Sequence, residues 1–180
     1  MKKLYVILPL ALILCFMVGC QDKAAMAELE EFKAQAEVEE QNKELVLRFY
    51  EEIDKQNFDA AIAMLASEYG MYTPSNSPKP RSPEESIGAL KMALRVSPDT
   101  NYGVEELYAV GDRVIARFVV TGTHEGDLPG FPATGNKFEY SAIVIARIEN
   151  GKIIEEKIEF DELGFMQQLG MELKPKEEEK

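Results

Sequence analysis

The sequence has few of the residues that build metal, redox and disulfide sites. Its 180 residues include no tryptophan, two cysteines and a single histidine, His124. A zinc site of the usual kind needs three or four His or Cys ligands, so this composition excludes one. No EF-hand-like spacing of acidic residues occurs either, although a site made wholly of carboxylates stays open. We therefore expect no metal and no catalytic thiol in the folded domain.

The N-terminal segment has the pattern of an export signal. Lys2 and Lys3 precede an apolar run from Leu4 to Gly19. That run is short for a membrane-spanning helix, which needs about 20 apolar residues, and Pro9 interrupts it. The run ends in Met17-Val18-Gly19-Cys20, which resembles the cleavage box of bacterial lipoproteins.

This pattern predicts a lipoprotein signal peptide over residues 1–19. Cleavage would leave Cys20 at the N-terminus, where its thiol would carry diacylglycerol, and would remove Cys15. The mature protein would then be exported, disulfide-free and lipid-anchored in the bacterial cell envelope. An ordinary signal peptide and an uncleaved anchor are the alternatives.

The charge of the chain limits its partners. The formal net charge is −12, from 32 acidic and 20 basic residues. So acidic a protein repels the phosphate backbone of nucleic acids, and we expect no nucleic-acid partner. It is repelled by anionic lipid surfaces as well, so membrane contact is expected through the lipid on Cys20.

The rest of the chain divides into three regions. Residues 20–40 are rich in Ala, Glu, Lys and Gln, which are strong helix formers, and predict a charged helical stalk. Its narrow apolar stripe favours a solvated spacer over a partner-binding helix. Residues 41–170 predict one folded domain, and the acidic residues 171–180 predict a disordered tail.

The domain has helical periodicity first and strand periodicity afterwards. Apolar residues at helical spacing predict helices starting near Gln41, near Asn57 and at Ser82, and a short strand is predicted at Met71–Thr73. The sequence Ser82-Pro83-Glu84-Glu85 has the form of a capping box. Alternating residues then predict four strands, at 102–110, 113–124, 137–148 and 152–160, followed by a helix at 162–169. This order predicts an α+β fold.

The region after residue 121 resembles a known family. The segments GTHEGDLPGFPATG (residues 122–135), RIENGKIIEE (147–156) and DELGFMQQLG (161–170) together resemble the SnoaL-like polyketide cyclases, also called ester cyclases. The resemblance extends over residues 42–170. It implies the cone-shaped, cystatin-like fold of the nuclear transport factor 2-like superfamily, with a bent antiparallel sheet packed on N-terminal helices. It also implies intramolecular aldol or isomerase chemistry without a metal or organic cofactor.

Asp161 and His124 are the candidate catalytic residues. The resemblance implies an acid–base carboxylate near the start of the last helix, where Asp161 lies. Asp161 is equally suited to cap that helix, because its side chain can accept backbone N–H groups of the first turn. Histidine side chains can change charge near neutral pH, so His124 could donate a proton or orient a ligand, or it could anchor a loop near Gly126.

Four further residues are candidates for the ligand pocket. Tyr50, Tyr72 and Tyr140 could present rings and hydroxyls to a ligand or pack in the core. Arg117 could bind a ligand carboxylate or pair with Glu139 across the sheet. Many members of the family that this chain resembles carry tryptophan at the position of Lys157. Because this chain has lysine there, an aromatic substrate is less expected.

Three functions are compatible with these patterns. The first is a membrane-anchored lipoprotein that binds a small, partly apolar molecule in the cavity of the fold. The second is a metal-free cyclase or isomerase that uses an acid–base carboxylate. The third is an interaction module, such as a homodimer that forms through the sheet face. Fold resemblance alone does not choose among them.

Overall fold

The computed structural model describes residues 4–128, 130–172 and 174, with side chains from residue 23 onward. The chain divides into two compact units, Met1–Val38 and Glu39–Lys180. Cys20 and the predicted signal peptide lie outside the residues whose side chains are described, and so does most of the predicted tail. Within the described side chains, no helix combines the length and the apolar character that crossing a membrane requires.

Four helices and five strands make up the described structure. In chain order they are α1 (Leu4–Asp54), α2 (Phe58–Ile62), β1 (Leu65–Tyr72), α3 (Pro83–Val96), β2 (Asn101–Val110), β3 (Arg113–Thr123), β4 (Lys137–Glu149), β5 (Lys152–Phe160) and α4 (Glu162–Gln168). Helices precede strands along most of the chain, as the sequence predicts.

Helix α1 has a different character in each unit. Every described side chain from residue 23 to residue 38 is exposed. In the second unit, Val46, Phe49, Tyr50 and Ile53 are buried. Their i, i+3, i+4, i+7 spacing places them on one face of the helix, and that face belongs to the hydrophobic core.

Helix α3 starts with the predicted capping box. The Ser82 hydroxyl accepts a hydrogen bond from the Glu85 amide at 3.3 Å, and the Glu85 carboxylate accepts one from the Ser82 amide at 2.8 Å. These two bonds satisfy backbone groups that the first turn of a helix leaves unpaired. The prediction of a helix beginning at Ser82 is confirmed.

The five strands form one sheet in the order β1-β5-β4-β3-β2. Strands β2 to β5 are antiparallel neighbours, as predicted. The predicted strand Met71–Thr73 was too short, because β1 begins at Leu65 and pairs in parallel with β5. Its register shifts between Leu65 and Gly70, and the exposed Ser67 and Glu68 there interrupt the apolar alternation that would indicate a strand.

The sheet is covered on one face. Inward residues of β3 and β4, such as Val114, Phe118 and Val144, are nearly fully buried, and they alternate with exposed or half-buried neighbours. The buried face joins α1 and α3 in one core. The fold is therefore α+β, a five-stranded bent sheet with its helices on one side, as the sequence predicts.

Candidate functional site

The core contains a cavity of about 340 Å³. Strands β1 and β3 to β5 line it together with α1, α3 and the start of β2. Most of its wall is apolar or aromatic, including Phe49, Met71, Leu90, Phe118, Val144 and Phe160. The polar residues that reach it are few, namely Tyr50, Tyr69, Thr73, Arg81, Tyr102, Tyr140, Glu156 and Glu162. An apolar cavity with a few polar groups is the usual form of a small-molecule site.

Glu156 is the buried carboxyl group of this cavity. It is 1% exposed and lies on β5, beside Met71 of β1. The Tyr50 hydroxyl donates a hydrogen bond to one carboxylate oxygen at 2.9 Å. The Tyr69 hydroxyl donates to the other oxygen. Two phenols from α1 and β1 therefore fix the orientation of the carboxyl group.

The surroundings of Glu156 favour its neutral form more than water does. No ion pair to Glu156 occurs among the described residues. Burial raises the pKa of Glu156 above its ordinary value of 4.5, and the hydrogen bonds from Tyr69 and Tyr50 oppose that rise. A carboxyl group with a raised pKa exchanges protons closer to neutral pH, which suits general acid–base catalysis.

Two more tyrosines offer hydroxyl groups to the cavity. Burial raises the pKa of Tyr140 to about 12, and burial with the nearby Tyr140 raises the pKa of Tyr102 further. Both therefore stay protonated at neutral pH. Neither hydroxyl has a hydrogen-bond partner in the described part of the chain, whereas those of Tyr50 and Tyr69 bond to Glu156. They are available to donate to an oxygen of a ligand.

Asp161 lies at the start of α4, outside the residues that line the cavity. Its carboxylate accepts a hydrogen bond from the Gly164 amide at 2.8 Å, and its side chain is exposed. This geometry is that of a helix N-cap, one of the two roles predicted for Asp161. The catalytic role remains a prediction.

His124 is fully buried, but it too lies outside the cavity lining. Its Nδ1 accepts a hydrogen bond from the Thr134 amide at 3.2 Å and lies 3.0 Å from the Thr134 hydroxyl. Its ring stacks on Phe131 at 5.3 Å. These contacts tie the loop between β3 and β4 together, at Thr134 rather than near Gly126, and the catalytic role of His124 remains a prediction.

The four predicted pocket residues separate into two groups. Tyr50 and Tyr140 line the cavity, while Tyr72 and Arg117 are not among its lining residues. The Tyr72 ring instead lies 5.8 Å from the Lys157 ammonium group. Arg117 forms ion pairs with Glu105 and Glu106 on the exposed side of the sheet, and not with Glu139. Ligand binding by any of the four residues remains a prediction.

The sequence contains a signal for Glu156 that the prediction missed. Side chains along a strand alternate between its two faces, so Glu156 shares a face with Ile158 and Phe160. An acidic residue in phase with apolar ones is a candidate for burial. Lys157 and Glu159 lie on the other face, opposite Ile145 and Ile143 of β4. The sequence contains no such signal for Tyr69, because its burial beside Glu156 depends on the irregular pairing of β1 with β5.

The described residues contain no group of three or more His, Cys, Asp or Glu side chains that could hold a metal ion. The chemistry that the site can carry out with its own groups is proton transfer. Glu156 can exchange a proton, and Tyr102 and Tyr140 can donate hydrogen bonds to an oxygen that gains negative charge.

Known proteins resemble this chain over the same domain. Residues 44–169 match the family model for SnoaL-like polyketide cyclases. The aklanonic acid methyl ester cyclase DnrD of Streptomyces peucetius is 33% identical over 96 residues, which cover 53% of this chain and 66% of that protein. The chain thus matches less than two thirds of the length of this relative.

Solved structures share the fold. TsrD from Streptomyces laurentii superimposes with a TM-score of 0.64 at 26% identity, over 72% of this chain and 95% of that one. IdmH from Streptomyces antibioticus has a TM-score of 0.64 at 24% identity, over 72% of this chain and 99% of that one. These matches cover nearly all of each neighbour, and the family match, residues 44–169, lies within the compact unit Glu39–Lys180. The family model covers well over half of the chain, and the protein belongs to the SnoaL-like polyketide cyclase family, with a nuclear transport factor 2-like fold.

Proposed function

We propose that this protein binds a small, partly apolar molecule in the cavity and catalyses a cyclase- or isomerase-type reaction on it, with Glu156 as the general acid–base. The observation that carries the proposal is the burial of Glu156 in the cavity wall without an ion-pairing partner among the described residues. Such an isolated carboxyl group costs folding free energy, and groups of this kind concentrate at functional sites. Proteins of the SnoaL-like family act on small molecules, which agrees with the proposal.

The proposed reaction is proton transfer next to a carbonyl group. The Glu156 carboxylate takes a proton from the carbon beside the carbonyl, and the electron pair of that C–H bond moves to the carbonyl oxygen as an enolate. Tyr102 and Tyr140 donate hydrogen bonds to this oxygen. In a cyclase reaction the enolate carbon attacks a second carbonyl of the same molecule, and Glu156 returns the proton to the new alkoxide. Each carboxylate oxygen can accept two hydrogen bonds, so the bonds from Tyr50 and Tyr69 leave Glu156 able to accept the proton.

Binding without catalysis is the second candidate. It is favoured by the two tyrosine hydrogen bonds, since a carboxyl group held by Tyr50 and Tyr69 could serve solely to shape the cavity. The two candidates differ in what the loss of the carboxyl group does. If Glu156 is catalytic, its removal stops proton transfer and leaves binding. If Glu156 shapes the cavity, its removal changes binding.

The test uses a small aromatic proton donor, 5-nitrobenzisoxazole. Loss of its ring C–H proton to a base breaks the N–O bond and gives the coloured 2-cyano-4-nitrophenolate, so the reaction needs no other reagent. With residues 39–180, we expect Glu156→Gln to lower the protein-dependent rate by about a hundredfold, the lower end of what a general base contributes. The matched control is Asp161→Asn, which removes an exposed carboxylate and keeps the helix cap, and should leave the rate unchanged.

Two results would contradict the proposal. Equal rates in the wild type and in Glu156→Gln would exclude Glu156 as a base. A loss of rate in Asp161→Asn instead would assign catalysis to Asp161. Binding of the neutral fluorophore N-phenyl-1-naphthylamine, measured on the same variants, shows whether the cavity itself is preserved.

We further propose that the protein works at the bacterial cell envelope, held there by a lipid on Cys20. The charged start, the short apolar run and the Gly19-Cys20 junction support this proposal. The exposed helix over residues 23–38 suits a spacer between a membrane and the domain.

The exposed face of the sheet supports a homodimer. Tyr108, Ile115, Ile143 and Ile145 are all more than one third exposed. Ile115 pairs with both Tyr108 and Ile145 across β2, β3 and β4, so these side chains form one apolar patch, which we call the sheet patch. Arg117, Glu105 and Glu106 beside it carry both signs of charge, as a surface that pairs with its own copy requires. We propose that a second copy of the chain covers the sheet patch.

A further inference from the structure

We infer that Arg81 binds an anionic group of the substrate at the rim of the cavity, so that the substrate class is an apolar molecule with one carboxylate or similar anionic group. This inference rests on the proposed binding of a small molecule in the cavity. It adds the chemistry of that molecule and its orientation.

Arg81 is the basic residue among those that line the cavity. Its side chain is exposed, which places the guanidinium group at the solvent end, while Glu156 is buried at the inner end. In the described part of the chain, the Arg81 guanidinium has no ion pair and no side-chain hydrogen bond. Arg113, Arg117 and Arg147, by contrast, each lie within 4 Å of a carboxylate.

The backbone of Arg81 is held in place. Its amide donates to the Met71 carbonyl at 2.9 Å, and its carbonyl accepts from the Met71 amide at 3.1 Å. The next residue, Ser82, is the N-cap of α3. Because β1 and α3 both fix this segment, the guanidinium starts from a rigid base. Binding a ligand then costs less conformational entropy than ordering a loop would.

The charges of the cavity also set the orientation of the ligand. An anionic group at the inner end would lie beside Glu156, where repulsion and burial both oppose it. At the rim, the guanidinium offers a planar pair of donors that matches a carboxylate. Glu162 also lines the cavity and is exposed, and it forms no ion pair with Arg81. The anion therefore stays at Arg81, and the apolar part reaches inward to Glu156.

A pair of fluorescent probes tests this inference. 1-Anilinonaphthalene-8-sulfonate and N-phenyl-1-naphthylamine share one aromatic skeleton, and the first carries an anionic sulfonate. Dissociation constants are measured for both with residues 39–180. We expect Arg81→Gln to weaken binding of the anionic probe about fivefold, as for one partly solvated charge pair, and to change the neutral probe less than twofold.

The matched control is Arg95→Gln, which removes the same charge from an exposed arginine of α3 that does not line the cavity. It should leave both probes within twofold. The effect of Arg81→Gln should also shrink as salt is raised, because salt screens an exposed charge pair.

Two further variants separate this inference from the proposed function. Ala142→Phe narrows the buried wall of the cavity, and Ala93→Phe narrows it from the exposed edge on α3, in case the first variant does not fold. Weaker binding of the neutral probe in a folded variant supports binding in the cavity. If that holds but Arg81→Gln affects the anionic probe no more than Arg95→Gln does, the role of Arg81 is overturned and the proposed function stands. If neither probe binds in the cavity, both are overturned.

Discussion

Asp161 and Glu156 lie five residues apart in the chain and have opposite surroundings. Asp161 is exposed and accepts a backbone N–H of α4, so it stabilises a helix end. Glu156 is buried, accepts two tyrosine hydroxyls and faces a cavity. The second arrangement favours a group that can change its protonation state, because burial raises the pKa of Glu156. Our proposal therefore places the proton-transfer role on Glu156 and not on Asp161.

The raised pKa of Glu156 has a defined effect on stability. Because the pKa of Glu156 is higher in the folded protein than its ordinary value of 4.5, the unfolded chain releases this proton more readily. Above pH 4.5, and up to the folded-state pKa, unfolding releases a proton. The contribution of Glu156 to the free energy of unfolding therefore falls as pH rises. It is fully present below the unfolded pKa and is lost through this window.

We predict that Glu156→Gln removes this pH dependence. The free energy of unfolding of the variant minus that of the wild type should increase as pH is raised from about 4 to about 8, because glutamine does not titrate. Urea unfolding of residues 39–180 at several pH values gives this difference. Glu44→Gln, which removes an exposed carboxylate of α1, is the control for the loss of a surface charge. A difference that stays flat or decreases for Glu156→Gln would contradict the shift.

At the scale of helices and strands, local patterns determined what the sequence could predict. The capping box at Ser82 and the alternation of β2 to β5 depend on neighbouring residues, and those elements were predicted nearly to the residue. Strand β1 depends on parallel pairing with β5, far along the chain, so it was predicted too short. The residues of the site show the same difference between local patterns and long-range contacts. Tyr50 and Tyr140 were predicted to line a pocket, whereas the contact between Tyr69 and Glu156 joins distant parts of the chain.

The sheet patch gives a prediction at the same scale. If a second copy covers the patch, Ile143→Lys adds a charge at an apolar position of the interface, and that charge loses its water on association. We expect the variant to sediment as a monomer at concentrations where wild-type residues 39–180 sediment as a dimer. Met92→Lys is the control, since Met92 is 51% exposed on α3, outside the sheet. A monomeric wild type at high concentration, or a dimer that survives Ile143→Lys, would contradict the proposal.

At the scale of the whole molecule, our proposals combine into a tethered enzyme. The first unit presents exposed side chains over residues 23–38, and the second contains the cavity with Glu156 and Arg81. The net charge of −12 opposes adsorption to an anionic membrane surface. A covalent lipid would therefore decide whether the domain stays at a membrane, because a diacylglycerol supplies two acyl chains, enough for stable anchoring.

The last prediction concerns this lipid. When the full chain is expressed in a bacterium with an alkyne-tagged fatty acid, the wild-type protein should become labelled and should remain with the membranes in high salt, because the acyl chains and not charge hold it there. Cys20→Ser should abolish both the label and the membrane association. Cys15→Ser is the matched control, since that residue lies within the predicted signal peptide and its loss should change neither result. Unlabelled wild-type protein, or labelling that persists in Cys20→Ser, would exclude lipid attachment at Cys20 and leave an ordinary signal peptide or an uncleaved anchor.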